Sequence, residues 1–461
     1  MIYLHYFETN SEFSAAYNGE DYLEPWVSLT SENEKVKYNK TEYEKLFSVP
    51  LTFEIQSDGI IYWKAGNSAS ASTIEYSLNN GEWTSITSTT AGTQISVSSG
   101  DTIQFRGNND NYGGEQSYAV NSNTFGGSTC QFKAYGNIMS LIDSTGYTNL
   151  TTLSSANTFC HLMSDCTGLT NAGNLILPAT ALTFCCYVGM FQRCTSLTTA
   201  PVLPATTLDG SCYDSMFSNC TSLTTAPELP ATTLATYCYY NMFYGCTSLT
   251  TAPELPATAL TFGCYDCMFS NCTSLTTTPE LPATALADYC YSYMFKDCTS
   301  LTIAPELPAT ILAVYCYQEM FRGCTNLVIA PELSGTTLAD YCYVRMFSAC
   351  TSLTTAPTTL PATTLTPYCY SQMFEGCTSL TTAPELPATT LANYCYQSMF
   401  RGCSSLNYIK CLATSISATN SHRNWVYGVS SSGTFVKNPS MSSWPTGVSG
   451  IPDGWTTQNA S

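Results

Sequence analysis

The chain has 461 residues, of which only 10% are charged, and its formal net charge at pH 7 is -18. Thr, Ser and Asn supply much of the polar composition in place of charges, which departs from an ordinary globular chain. Because affinity for nucleic acid rests on Lys and Arg displacing counterions from phosphates, this composition argues against nucleic acid and anionic membranes as partners. No apolar run reaches the ~18 residues of a membrane-spanning helix, so we expect no membrane insertion.

Residues 1–48 form an irregular segment with a concentration of Glu and Lys between Glu32 and Leu46. This composition predicts an attachment segment. The opening MIYLHYFETN has neither a basic start nor a continuous apolar core, so it does not resemble a secretory signal. We expect that, if the chain is displayed outside a cell, it leaves by a route other than a signal of its own.

Residues 49–136 consist of short alternating segments, such as GIIYWKA and TQISVSS, separated by turn residues. This spacing predicts antiparallel strands, and the Asn-Gly pair at 80–81 predicts a hairpin turn. We expect an all-β, immunoglobulin-like sandwich. An aromatic platform for carbohydrate is the alternative interpretation. The aromatic residues expected in the core are Trp63, Trp83 and Phe105.

The middle of the chain repeats the motif Cys-Tyr-x-x-Met-Phe-x-x-Cys nine times, in steps of 26 residues with one step of 27. A degenerate tenth copy, TFCHLMSDC, precedes them. A period between 20 and 50 residues indicates stacked repeat units, and this one fits leucine-rich-repeat geometry. The copies begin at Cys186, Cys212, Cys238, Cys264, Cys290, Cys316, Cys342, Cys369 and Cys395.

Within a repeat, the apolar residues follow a four-residue spacing. Cys342, Met346 and Cys350 fall at i, i+4 and i+8, with Tyr343 and Phe347 beside them, so the pattern predicts a short helix with one buried face. The TSLTTAP segment that follows suits a short strand, because Thr favours half-exposed strand surfaces and the prolines end the strand. Each repeat is therefore predicted to form a strand, a turn and a helix.

The stretch MFSNCTSLTTAPELPATTLA resembles the repeats of BspA-like leucine-rich-repeat proteins, of the kind found in gut Bacteroidetes and their phages. The resemblance covers about residues 158–415, with APELP in place of the usual strand ending. We expect an α+β fold in which about ten coils of 26 residues form a leucine-rich-repeat solenoid over residues 137–415. The β-sandwich precedes this solenoid, and a small cap, residues 416–461, follows it.

Almost all of the 24 cysteines obey the repeat. In a helix the two cysteines of one repeat lie ~12 Å apart, beyond the ~7 Å limit for a disulfide. A ladder of buried thiols and disulfides between adjacent coils both remain open, whereas metal is disfavoured by the ligand spacing and by the presence of only three His residues. The CYDC sequence at 264–267 has the CxxC form of a metal or redox motif. Because it places Cys267 in a variable position that we expect to be exposed, we interpret this form as a chance match.

Recognition is expected at the positions that vary between copies, because the predicted helix exposes them to solvent. We expect charge-reversing or alanine changes at Tyr240, Tyr293, Arg322 and Arg345 to weaken attachment and to leave the melting temperature nearly unchanged. The candidate binding residues on this exposed helical face are Tyr240, Asn241, Tyr244, Tyr293, Arg322 and Arg345.

The segment 416–461 holds three of the six tryptophans, Trp425, Trp444 and Trp455. A cap over the open apolar end of the solenoid is one interpretation. An exposed surface on which the three tryptophans stack against sugar is the alternative binding site.

The sequence contains no phosphate-binding glycine loop, no His-based nucleophile pattern and no HExxH or EF-hand motif. The Glu residues of the APELP segments form a periodic row rather than the local pair that sugar hydrolysis requires. We therefore expect no catalytic residues, no cofactor and no metal site.

The resemblance and the composition favour a non-enzymatic bacteriophage virion protein, such as a fibre, decoration or tail-associated protein. On this hypothesis residues 1–48 bind other virion proteins and the solenoid binds a host surface protein or gut glycan, with a homo-oligomer possible. The chain would assemble in the host cytoplasm, where thiols stay reduced. A BspA-like adhesin on the bacterial cell surface is the alternative, and a glycan-active enzyme is a remote one.

Overall fold

The computed structural model describes residues 26–28, 35–37, 45–114, 121–441 and 444–461. The chain divides into two compact units, of which the first ends at Ala231 and the second begins at Thr232. Most of the predicted attachment segment, residues 1–48, lies outside the described residues. Two short antiparallel strands within it are described, β1 (Trp26–Ser28) and β2 (Lys35–Lys37).

The first unit is rich in short strands, as the alternating sequence pattern predicts. Two 3-10 helices, Ile138–Leu141 and Tyr147–Asn149, connect the last two of them. The strands are β3 (Leu51–Ile55), β4 (Gly59–Ala65), β5 (Thr73–Leu78), β6 (Thr84–Thr87), β7 (Thr93–Val97), β8 (Thr102–Arg106), β9 (Asn123–Thr124), β10 (Phe132–Asn137) and β11 (Leu169–Ile176).

These strands form two sheets. The larger has six strands in the order β11-β10-β3-β8-β5-β6, and the smaller has three in the order β7-β4-β9. All pairings are antiparallel except that of β10 with β11. The predicted hairpin is confirmed between β5 and β6, although the residues with positive φ are Asn79 and Asn80.

Aromatic side chains from both sheets meet in the core of this strand-rich region. Trp63 on β4 and Phe105 on β8 are fully buried, as predicted, and each contacts Phe125 at a ring distance of 4.8–4.9 Å. The expectation for Trp83 is wrong. It precedes the edge strand β6, is half-buried, and lies under the guanidinium of Arg106 at 4.0 Å.

The predicted helix in each repeat is also wrong. Between residues 150 and 441, all of which the structure describes, there is no α-helix, and the Cys-Tyr-x-x-Met-Phe-x-x-Cys segments are series of tight turns. Every fourth residue has a positive φ, for example Tyr289 (59°), Tyr293 (55°) and Asp297 (58°). Because the left-handed conformation cannot continue an α-helix, the chain turns anew every four residues.

We call these series of tight turns in successive repeats the turn ladder. Its backbone N–H groups donate in turn to a carbonyl of the same repeat and to a carbonyl of the next repeat. The N–H groups of Ser292 and Lys296 donate to the carbonyl three residues earlier, as in a turn. The N–H groups of Tyr293 and Phe295 instead donate to Gln318 and Met320 of the next repeat, at 2.8 and 2.9 Å. The backbone therefore joins adjacent repeats within the unit, which a helix with only internal bonds could not do.

The predicted strand of each repeat is reduced to single parallel bridges, such as Thr251 with Thr277 and Ile303 with Ile329. Proline cannot donate a ladder hydrogen bond, which limits longer pairing through the APELP segments. Regular strands return near the end of the second unit as β12 (Tyr408–Cys411), β13 (Thr434–Lys437) and β14 (Thr456–Asn459), which form a parallel sheet.

The four-residue spacing does identify the core. Cys342, Tyr343, Met346, Phe347 and Cys350 are all at most 1% exposed. Equivalent rings of successive repeats stack, so the phenylalanine at 321 lies 5.7 Å from that at 295 with nearly parallel planes. All 24 cysteines are free thiols, and all are buried except the half-buried Cys267, which confirms the predicted buried ladder.

The thiols also have a specific role in joining repeats. The second cysteine of a repeat donates its S–H to a phenylalanine carbonyl of the preceding repeat, with a sulfur–oxygen distance of 3.1 Å for Cys324 and Phe295 and of 3.0 Å for Cys350 and Phe321. Burial raises the pKa of the Cys324 thiol well above its usual value. Cysteine thus combines a small apolar volume with a weak donor at a fully buried position.

The turn ladder allows us to predict how a substitution at Ala349, whose φ is +60°, changes stability. In a helix, Ala349→Gly would lower stability by about 1 kcal/mol. Because an alanine in the left-handed region is strained and glycine is not, we expect the change instead to raise the free energy of unfolding by about 0.5–1 kcal/mol. Urea denaturation measures the difference. Ala392→Gly, at a residue without positive φ, is the control and should lose stability.

Candidate functional site

The side chains between the buried pairs of each repeat form one surface, here called the turn face. In the repeat at 290–298 these positions are Ser292, Tyr293, Lys296 and Asp297. All the sequence-predicted binding residues of the turn face belong to the second unit, and all are half-buried rather than fully exposed. The turn face is therefore a closely packed surface whose side chains contact neighbouring repeats.

The structure brings three of the predicted residues, Tyr293, Arg322 and Arg345, together around Glu319, a carboxylate that is not among the binding residues predicted from sequence. Glu319 is only 5% exposed in its side chain. Arg322 Nη1 donates to Glu319 Oε2 at 2.8 Å, and Arg345 Nη1 lies 3.4 Å from Oε1. Lys296 Nζ lies 3.5 Å from Oε2. We call Lys296, Glu319, Arg322 and Arg345 the Glu319 cluster.

Neutral polar side chains fix the edges of the Glu319 cluster. The amide nitrogen of Gln318 donates to the Tyr293 hydroxyl at 2.6 Å, and the Nζ of Lys296 lies 5.1 Å from the centre of the Tyr293 ring. Arg345 Nε donates to the amide oxygen of Gln372 at 3.0 Å. Four successive repeats therefore contribute to one network.

Burial works to raise the pKa of Glu319, but the hydrogen bond and charge of Arg322, with Lys296 and Arg345, outweigh it and lower the pKa. A carboxylate with a lowered folded pKa contributes stability above its unfolded pKa of about 4.3, and this contribution is lost as the pH falls through the folded pKa. Removing both arginines leaves the buried carboxylate with Lys296 alone, at 3.5 Å, and a buried charge that loses its partners is destabilising. In contrast to the expectation from sequence, we therefore expect replacement of both arginines to lower the melting temperature, which thermal denaturation tests.

The other three predicted residues, Tyr240, Asn241 and Tyr244, lie apart from the Glu319 cluster. The Tyr240 ring packs edge-on against Tyr237 at 5.5 Å. The Asn241 N–H donates to the backbone carbonyl of Asp266 at 3.0 Å, and its φ of +51° suits asparagine, which tolerates the left-handed region.

Asp266 is a second buried carboxyl on the turn face, with 9% of the residue exposed. The thiol of Cys267 donates to its Oδ1 at 3.2 Å. Burial raises the pKa of Asp266 to about 7, against a smaller opposing effect of this hydrogen bond. Burial also raises the pKa of Cys267 itself, which makes it a poor nucleophile despite the CYDC sequence.

A row of tyrosines borders the turn face and was missed by the sequence analysis. Five half-buried rings stack on one another at centroid distances of 4.4–4.8 Å. The signal was the tyrosine that precedes the first cysteine of many repeats, as in DYCY and NYCY. The row consists of Tyr289, Tyr315, Tyr341, Tyr368 and Tyr394.

The three C-terminal tryptophans are buried, at 0% exposed for Trp425, 9% for Trp444 and 8% for Trp455. Trp425 stacks on Trp444 at 5.6 Å, and its Nε1–H donates to Gly450. Sugar stacking needs an open ring face, so this burial fits the interpretation of a cap and argues against the alternative binding site. The turn pattern also continues into this segment, with positive φ at Asn420, Asn424 and Gly428.

Among the described residues, no group of three or more His, Cys, Asp or Glu side chains is arranged to hold a metal ion. In the same part of the chain, no helix is both long and apolar enough to cross a membrane. The candidates for recognition on the described surface are the Glu319 cluster and the tyrosine row, on the geometry given above.

Comparison with known proteins identifies the family of the repeats. The BspA type leucine rich repeat region matches the chain in overlapping segments, residues 145–250, 187–328, 236–371 and 336–423, which together span more than half of it. A crystal structure of a leucine-rich repeat protein from Bacteroides ovatus ATCC 8483 is similar at 18% identity, over 54% of this chain and 74% of that one, with a TM-score of 0.27. No curated protein matches the chain.

Proposed function

Because the chain belongs to the BspA-type leucine-rich-repeat family, we propose that it is a non-enzymatic adhesin that binds a host surface protein or glycan through its turn face. Membership in the family supports a surface-displayed repeat protein. The predicted ten-coil solenoid and the immunoglobulin-like sandwich are part of this proposal, the solenoid as the scaffold of the turn face.

One observation carries the proposal: the repeats keep their buried Cys-Tyr, Met-Phe and Cys residues nearly constant, while the residues of the turn face differ from copy to copy. The buried pair Met-Phe recurs at 320–321, 346–347 and 373–374. Between these pairs, Glu319, Arg345 and Gln372 occupy one equivalent position with three different chemistries. A face that served only to stack repeats would not need this variety, whereas a binding surface does.

A second, more specific part of the proposal is that a bacteriophage virion carries the adhesin. The buried thiols suit a protein that folds in a reducing compartment, as a virion protein assembled in the host cytoplasm does. Residues 1–48 would then bind other virion proteins. Mass spectrometry of purified particles and of host envelope fractions separates this proposal from a bacterial surface adhesin, since the chain should be enriched in particles.

Attachment by the whole chain tests the adhesin proposal. We expect the purified protein to bind intact gut Bacteroidetes cells or immobilised mucin, and the triple variant Tyr240→Ala, Tyr244→Ala, Tyr293→Ala to lose about tenfold or more in affinity. Aromatic side chains are the residues whose truncation most often removes binding energy. Surface plasmon resonance on mucin and flow cytometry on cells provide the measurements.

The matched control changes exposed side chains of another surface. Ile303 and Ile311 are 72% and 61% exposed, so Ile303→Ala with Ile311→Ala should preserve both folding and attachment. If this control loses attachment and the tyrosine variant keeps it, the turn face is the wrong surface. If the unchanged protein binds neither cells nor mucin, the adhesin proposal itself fails.

A further inference from the structure

We propose that the Glu319 cluster binds an acidic sugar, one that carries a carboxylate or a sulfate, within the glycan recognised by the turn face. This inference rests on the proposed adhesin function and names the ligand class of its site. It starts from an imbalance of charge. The chain has 15 Lys and Arg against 33 Asp and Glu, yet three of the 15 converge on a single buried carboxylate.

The geometry leaves the outer ends of these cations available. Arg322 and Arg345 are each 41% exposed in the side chain, although Glu319 beneath them is nearly inaccessible. Arg322 uses Nη1 on Glu319, and its Nε and Nη2 make no hydrogen bond to any described residue. Arg345 uses Nε on Gln372 and Nη1 on Glu319, which leaves Nη2 without a hydrogen bond in the described part of the chain.

Glu319 acts here as a positioning residue. A flexible arginine loses side-chain entropy when it binds a ligand, whereas an arginine already held on Glu319 loses less. The planar guanidinium matches the two oxygens of a carboxylate or sulfate better than a lysine does. A buried carboxylate under two outward-facing guanidinium groups therefore forms a preorganised receptor for a single anionic group.

The neighbouring side chains favour a sugar as the carrier of that group. Tyr293, Gln318 and Gln372 supply hydroxyl and amide groups, which suit the many hydroxyls of a saccharide. A polyphosphate or nucleic acid is disfavoured, because a long polyanion would meet the net charge of -18 of the whole chain. One acidic sugar in an otherwise neutral oligosaccharide meets mainly the local charges, in which the three cations of the Glu319 cluster stand against Glu319, Asp297 near Arg322, and Glu375, which pairs with Arg401.

The test uses two probes that carry one anionic group each, 3'-sialyllactose with a carboxylate and lactose 3'-sulfate with a sulfate, and isothermal titration calorimetry as the readout. We expect the full chain to bind at least one of them at least about tenfold more tightly than neutral lactose, because hydrogen bonds to charged groups are the stronger ones. Comparison of the two acidic probes shows which anion is recognised.

The decisive variant is Glu319→Gln, Arg322→Gln, Arg345→Gln, which removes the guanidinium groups without leaving a buried charge. We expect it to lose at least about tenfold in affinity for the acidic probe. Arg401→Gln is the matched control, because Arg401 occupies the same repeat position as Arg322 but pairs with Glu375 alone. It should bind the probe as the unchanged protein does, and circular dichroism checks that both variants are folded.

Three results would overturn the inference: equal binding of acidic and neutral probes, unchanged binding by the triple variant, or an equal loss in Arg401→Gln. Failure of the adhesin proposal looks different. A protein that attaches to cells or mucin but binds acidic and neutral probes with equal affinity has the adhesin function and lacks this specificity for an acidic sugar. A protein that attaches to neither lacks the function as a whole.

Discussion

Replacing Phe321 with alanine is expected to lower the free energy of unfolding by about 3–5 kcal/mol. The Phe321 ring is 0% exposed and stacks between equivalent rings at 5.7 Å on one side and 5.6 Å on the other. Truncation therefore leaves a cavity in the contact of the repeat with both of its neighbours. Because a stacked array depends on such nearest-neighbour contacts, we also expect a broader unfolding transition.

Urea denaturation followed by circular dichroism measures both effects. The control is Ile329→Ala, a neighbouring apolar truncation at a side chain that is 59% exposed. Surface truncations away from special features usually change stability by less than about 0.5 kcal/mol. A loss below about 1 kcal/mol for Phe321→Ala would show that the aromatic ladder does not hold adjacent repeats together.

The core of the repeats could be identified from sequence because burial depends only on spacing. Cys342, Met346 and Cys350 recur every four residues, and this spacing places them on one side of an α-helix or of a turn ladder alike. Over nine residues a period of 3.6 and a period of 4.0 cannot be separated. The helix prediction was therefore wrong while the predicted core was right.

A signal for the turn ladder was nevertheless present. Of the three positions with positive φ in each repeat, the last, just before the second cysteine, carries mostly glycine and asparagine, which tolerate this conformation. An exposed helix of this length would not place glycine there repeatedly, because glycine costs about 1 kcal/mol in a helix. The column comprises Arg193, Asn219, Gly245, Asn271, Asp297, Gly323, Ala349, Gly376 and Gly402.

The candidate site was predictable in part. Tyr293 and Arg345 were singled out one by one as variable residues, and the structure places them in one network through Glu319. These three residues are each 26 positions apart, so alignment of the repeats in columns shows that they are neighbours. The alignment in columns could not show how deeply the Glu319 side chain is buried. The near-complete burial of Glu319 depends on how the turns pack, and it changes the arginines from surface residues into partners of a buried charge.

Asp266 and Asp214 share one column of the repeats, and both carboxyls are desolvated without an ion pair. Burial raises the pKa of Asp266 to about 7 and that of Asp214 to about 6. For an acid whose folded pKa exceeds its unfolded value of about 3.9, the folded state binds the proton more tightly. Stability therefore falls as the pH rises from about 4 to the folded pKa, and it is lowest above that pKa.

Asp266→Asn is accordingly expected to stabilise the protein at pH 8 by about 2–4 kcal/mol and to have little effect at pH 4. Asparagine keeps an oxygen that can accept the Cys267 thiol hydrogen bond but carries no charge to desolvate. Urea midpoints of the protein and the variant at pH 4, 6 and 8 provide the measurement, and the difference between them removes the general effect of the net charge.

Asp214→Asn in the first unit tests the same argument at an independent site. Its gain at pH 8 should be smaller, in line with the lower pKa of about 6. Asp101→Asn is the control for which we expect stability at pH 8 to fall rather than rise. Hydrogen bonds from Asn79 and Ser98 lower the pKa of the Asp101 carboxyl, so its charged form is stabilised in the folded protein. If Asp266→Asn is neutral or destabilising at pH 8, the carboxyl is solvated or paired, and the turn face at this position is more open than the structure shows.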